Sequence, residues 1–112
     1  MAVDFSYLDT MVDGDDELRQ TMLEMLLTEM PEEIAGMRSA YDDGDWDTLW
    51  KTSHKHKSTL AFVGHPEMIA AALKIETDAK AGRSPEALGT QLDTLETAQE
   101  EVLDAIRQAL TN

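Results

Sequence analysis

The residues best suited to do chemistry sit together between Thr48 and Pro66, where the chain has no Asp or Glu although it carries 23 acidic residues overall. All three histidines and three of the five lysines fall in that window. Lys51 and Lys57 stand three residues either side of His54, and Ser58 follows it by four. On a helix, where each residue turns by about 100°, these steps put all four side chains on one side. Neighbouring ammonium groups disfavour the imidazolium and keep the ring neutral, which suits a nucleophile rather than an acid. The same charges can neutralise an arriving phosphoryl group. His56 is two residues on and points elsewhere, so a metal pair with His54 is not expected.

The elements that must position this stretch read as helices, because the chain is rich in Leu, Met, Ala, Glu and Gln and shows no sustained alternation of period two. A short piece from Phe5 to Val12 ends at Asp13 and Gly14. From Asp15 or Asp16 an apolar stripe of Leu18, Met22, Met25, Leu26, Met30, Ile34, Met37 and Tyr41 predicts one long helix, kinked at Pro31 unless Thr28 starts a new one. Asp45 is the expected N-cap of a third helix running from Trp46 to about Val63. On it Leu49, Ser53, His56, Leu60 and Val63 share the inward face, while His54, Lys51, Lys57, Ser58 and Ala61 share an adjacent outward one. Lys57 is therefore expected to be exposed.

Gly64 stops that helix and Pro66 opens a fourth, with Met68, Ala72, Ile75 and Ala79 inside and Gly82 as its end. Ser84, Pro85 and Glu86 start the last helix, whose stripe is Leu88, Leu92, Leu95, Ala98, Val102, Ile106 and Ala109, widened by Leu103 and Leu110. Short connections make neighbours reverse direction, so the expected fold is all-α: an antiparallel up-and-down four-helix bundle with a short N-terminal lid helix, spanning residues 1–112 as one domain. Met22, Met25, Met30 and Met37 read mainly as core, with those near the edge forming an adaptable docking surface.

Composition removes several functions. The chain has no cysteine, which rules out disulfides and thiolate chemistry, and no run of 18 apolar residues for a membrane span. A formal net charge of -14 repels nucleic acid and anionic lipid. A soluble cytoplasmic protein is expected, a monomer, and its Met1 start and capped final helix favour a free-standing module.

The central motif resembles that of the histidine-containing phosphotransfer (HPt) domains of bacterial phosphorelays, in which His, a variable residue, Leu, Lys, Gly and Ser precede four variable positions and Gly. In that register His54 is the phosphoacceptor, Lys57 the motif lysine, Thr59 stands at the Ser position and Gly64 closes the motif. Ala72, Ile75 and Glu76 match its second half, and the Gly44-Asp45-Trp46 helix entry and Pro31 are also similar. His56 replaces the usual core leucine and Ser58 the usual glycine. The inward polar ring needs a hydrogen-bond partner.

The resemblance implies that His54 takes a phosphoryl group from a receiver-domain aspartyl phosphate and passes it reversibly to another receiver aspartate. It further implies stabilisation by Lys57, while helix spacing places Lys51 to assist and the small Ser58 beside the site, and Lys55 and Ala61 are expected at the partner surface. Receiver domains of response regulators and hybrid histidine kinases are the implied partners, with Mg²⁺ on the receiver, no cofactor on this chain and no kinase activity. His65 is expected to cap or sit in a loop, and Glu76 to serve structure more than chemistry. Two other readings are a helical adaptor that binds receivers without transfer, and an acidic mimic of nucleic acid. The lysine cluster argues against the second.

Overall fold

Five helices and no strand make up the described residues, 2–82 and 85–111, of the computed structural model: α1 Ser6–Val12, α2 Asp16–Asp42, α3 Trp46–Ala61, α4 Pro66–Lys80 and α5 Pro85–Thr111. The starts of α2, α3 and α4 follow from side-chain caps that occupy backbone donors a helix cannot satisfy itself. Asp15 accepts from Leu18 N at 2.9 Å, and Asp45 from Thr48 N at 3.1 Å and Thr48 Oγ1 at 2.7 Å. The cap of α4 is His65, whose Nδ1 accepts from Met68 N at 3.3 Å in front of Pro66. Ser84, expected to start α5, lies outside the described residues.

α2 is one helix that continues through Pro31, so Thr28 begins nothing new. Its buried stripe, however, is Leu23, Leu26, Met30, Ile34 and Met37. Leu18 and Met25, assigned inward from sequence, are 42% and 49% exposed. The true stripe steps by three and four through Leu23, and Leu18 and Met25, seven residues apart and so nearly in line with each other, lie about 120–140° round the helix from that row. α3 stops at Ala61 rather than near Val63, because the Leu60 carbonyl takes both Val63 N at 3.1 Å and Gly64 N at 3.0 Å. All five residues assigned to its inward face are fully buried.

α3 packs between α2 and α4, α5 closes the circuit against α4 and α2, and α1 rests on α2. The 43 Å long dimension is that of the 27-residue helices α2 and α5. Arg38 ties these two together, donating to Glu96 at 2.6 Å and Asp93 at 2.7 Å. Ser53 Oγ donates to Ala72 O at 2.6 Å, fixing the rotation of α3 against α4 without needing water. Among the described residues no helix is long and apolar enough to cross a membrane.

The turn from α3 into α4 is held by the N-terminal segment, since Asp4 N donates to Val63 O at 2.9 Å. Gly64 there has φ +59°, and a Cβ on it would meet Asp4 O at 2.5 Å. Gly64→Ala should therefore lose about 1–3 kcal/mol of stability. Urea unfolding checks this, and a midpoint equal to wild type would refute the close approach.

Candidate functional site

The α3 surface between the lysines is organised by a carboxylate from the neighbouring helix. His54 sits in mid-α3 with a side chain 65% exposed, and its Nδ1 lies 2.8 Å from Glu76 Oε1 on α4. The other oxygen of Glu76 lies 2.5 Å from Lys57 Nζ. The hydrogen bond from Lys57 is the main cause holding the Glu76 carboxyl below its ordinary range, against the cost of burial and with help from His54. An ionised carboxylate can only accept, so the proton of the neutral ring belongs on Nδ1. Nε2 is then left as a bare lone pair on an exposed ring.

This arrangement revises the electrostatics read from sequence. Lys57 is half-buried, not exposed, because its stem lies along α4 to reach Glu76. The Lys51 ammonium is engaged by Asp47 one turn back, at 2.9 Å, and lies 5.9 Å from the centre of the Trp50 ring. The group in contact with the imidazole is thus a carboxylate, and the two ammonium groups are each paired with an acid. Glu76 thus contacts both His54 and Lys57 and lies within the candidate site. The signal for it was its place in the second half of the motif, whereas α3 spacing alone could not reach across to another helix.

The remaining residues divide between two sides of α3. Lys55 and Ser58 are exposed and line a shallow depression between α2 and α3, with Met22, Met25, Thr59 and Phe62, of about 180 Å³. Ala61 is half-buried at the end of the helix. His65 is 3% exposed and caps α4, as expected of it, with Nε2 3.6 Å from Glu101 Oε1.

His56 is fully buried and finds the partner it needs in Glu33, a residue sequence reasoning passed over, at 2.7 Å from Nδ1. Thr59 Oγ1 donates to the other oxygen of Glu33 at 3.2 Å, while Nε2 of His56 has no hydrogen-bond partner. Burial alone would push the Glu33 carboxyl up, but the hydrogen bonds from His56 and Thr59 outweigh it and hold it low. Among the described residues no group of three His, Cys, Asp or Glu side chains is placed to hold a metal.

The family model of the Hpt domain matches residues 21–112 of this sequence. The chain belongs to the Hpt domain family. Its role is accordingly phosphotransfer within a phosphorelay, among the receiver domains of two-component systems. A similar solved structure is the Hpt domain of a sensor hybrid histidine kinase from Shewanella, with a TM-score of 0.73. At 24% identity, covering 98% of this chain and 94% of that one, it shows that the Hpt fold is shared. No curated protein sequence matches the chain.

The buried pair should make the Hpt domain acid-sensitive in a defined window. Because the Glu33 carboxyl is held low, its stabilisation is fully present above its unfolded value, near 4.5, and is lost as pH falls through the lowered folded value. Glu33→Ala should cost about 1–3 kcal/mol at neutral pH by stranding the His56 donor. Urea unfolding at a series of pH values should show the gap between wild type and Glu33→Gln shrinking below that window. A gap independent of pH would contradict the pairing.

Proposed function

We propose that residues 1–112 form a single Hpt domain, a cytoplasmic monomer that carries phosphate on Nε2 of His54. The observation supporting this most directly is the exposed ring whose Nδ1 lies 2.8 Å from the Glu76 carboxylate. Helices α2 to α5 act as an antiparallel up-and-down bundle, with α1 as a lid, that presents this ring on a rigid wall.

The aspartyl phosphate of a receiver domain approaches the exposed face of α3. The Nε2 lone pair forms the N–P bond as the P–O bond to the receiver aspartate breaks, and the aspartate leaves as a carboxylate. The ring, still carrying its Nδ1 proton, becomes cationic, and Glu76 offsets that charge. Lys57 holds Glu76 in place and lends its ammonium to the phosphoryl oxygens. Because the phosphoramidate formed is itself reactive, attack by a second receiver aspartate reverses the same steps and regenerates neutral His54.

Mg²⁺ for the reaction is carried by the receiver, and response regulators and hybrid histidine kinases supply those receivers. Lys55, Ser58 and Ala61 border the surface on which a receiver docks, and Lys51 contributes long-range positive charge. The chain itself is a phosphocarrier without kinase activity.

Incubation with a receiver domain charged by acetyl phosphate, followed by intact-mass analysis, should add one phosphoryl group to wild type and none to His54→Gln. Undiminished phosphate on His54→Gln would sink the assignment, and binding without transfer to wild type would favour an adaptor. Lys57→Ala and Glu76→Gln should each slow transfer by about tenfold or more, the loss of about 1.4 kcal/mol at the transition state, with the helical circular dichroism retained.

A further inference from the structure

A phosphoryl group brings close to two negative charges to His54, and the resting site has little unpaired positive charge to meet them. Lys57 is paired with Glu76 at 2.5 Å and Lys51 with Asp47 at 2.9 Å. Lys74 faces Asp78 at 3.6 Å, and Lys55 borders the depression on the α2 side of α3 together with Glu29 and Glu33. Lys80 is different. Its ammonium lies 4.9 Å from the centre of the Trp50 ring, and among the described residues it has no carboxylate partner.

Its position is tied to the reactive histidine by helix geometry. Trp50 precedes His54 by four residues on α3, and Lys80 follows Glu76 by four on α4. The contacts Trp50 to Lys80 and His54 to Glu76 are therefore successive rungs between the two helices, one turn or about 5.4 Å apart. Lys80 and Lys57 also line one open surface cavity of about 360 Å³, with Glu76 in its wall. A cation resting on an aromatic face is held weakly compared with one in a hydrogen-bonded ion pair, and a lysine stem spans about the distance of one turn.

We propose that Lys80 is a second phosphoryl-contacting cation, parked on Trp50 in the resting protein and drawn onto the phosphoryl oxygens as the N–P bond forms at His54. This rests on His54 being the phosphoacceptor. Lys80 forms and breaks no covalent bond and moves no proton. It adds net positive charge where Lys57 is largely offset by Glu76, and release of the phosphoryl group returns it to the ring.

The test uses phosphoramidate as a small donor, so that partner docking plays no part; its P–N bond breaks as the bond to His54 forms, and ammonia leaves. Wild type, Lys80→Ala and Lys80→Arg are compared in a Trp46→Phe background, where Trp50 is the remaining tryptophan of residues 1–112. Lys80→Ala should take phosphate roughly three- to tenfold more slowly, the effect of one exposed charge contact in a transition state, and Lys80→Arg should restore most of the rate. Phosphorylation should change Trp50 emission in the background protein as the cation leaves the ring, and that change should be absent in Lys80→Ala.

Equal rates and an equal emission change in the background protein and Lys80→Ala would overturn the role of Lys80 while leaving His54 as acceptor. A slow Lys80→Ala that arginine fails to rescue, with no emission change in the background protein, would also overturn it, marking the residue as merely structural. No phosphate on wild type itself would overturn the acceptor assignment and this proposal with it.

Discussion

One carboxylate, that of Glu76, ties the candidate site together. It bridges His54 and Lys57 on α3 from a position on α4, so the chemistry of the imidazole depends on the rotation and separation of two helices. The bridge sets the tautomer, orients the ring and absorbs the charge of Lys57. Without it, His54 would be an exposed histidine free to turn, and Lys57 a solvated lysine. The ion pair is partly shielded, since the Glu76 side chain is only 16% exposed, and so keeps more of its strength than a surface pair does.

Everything beneath that face serves to hold α3 and α4 in register. Ser53 bonds across to the Ala72 carbonyl, and Leu49, His56, Leu60 and Val63, which share its inward face, are fully buried. Gly64 lets the chain turn tightly enough for the Asp4 backbone to reach Val63. On the opposite side, the buried His56 and Glu33 couple α3 to α2 by a charged hydrogen bond where an apolar contact would have served. That substitution trades hydrophobic packing for a directional bond, which fixes the roll of α3 about its axis at the cost of sensitivity to acid.

The helices were legible because their caps and stripes are local. Asp15, Asp45, Pro66 and Gly82 act within a turn of themselves, and the periodic apolar rows of α3, α4 and α5 have one dominant face. α2 was harder: its first turns carry apolar residues on more than one side, and only the packing of the other helices selects Leu23 over Leu18 and Met25. The candidate nucleophile, His54, was readable from its spacing to Lys57 and Gly64. Its electrostatic surroundings were not, since Glu76 and Glu33 reach it and His56 across 22 and 23 residues of sequence, a relation that no pattern along one helix encodes. The engagement of Lys51 is local by contrast, because Asp47 lies a turn back on its own helix and pairs with it.

The most direct test of this arrangement is nitrogen NMR of the His54 ring with labelled imidazole, before and after phosphorylation by phosphoramidate. Before reaction, the neutral ring should carry its proton on Nδ1. After it, phosphorus coupling should appear at Nε2, with the Nδ1 proton retained. A resting ring protonated on Nε2, or phosphorus coupled to Nδ1, would contradict the role given to Glu76.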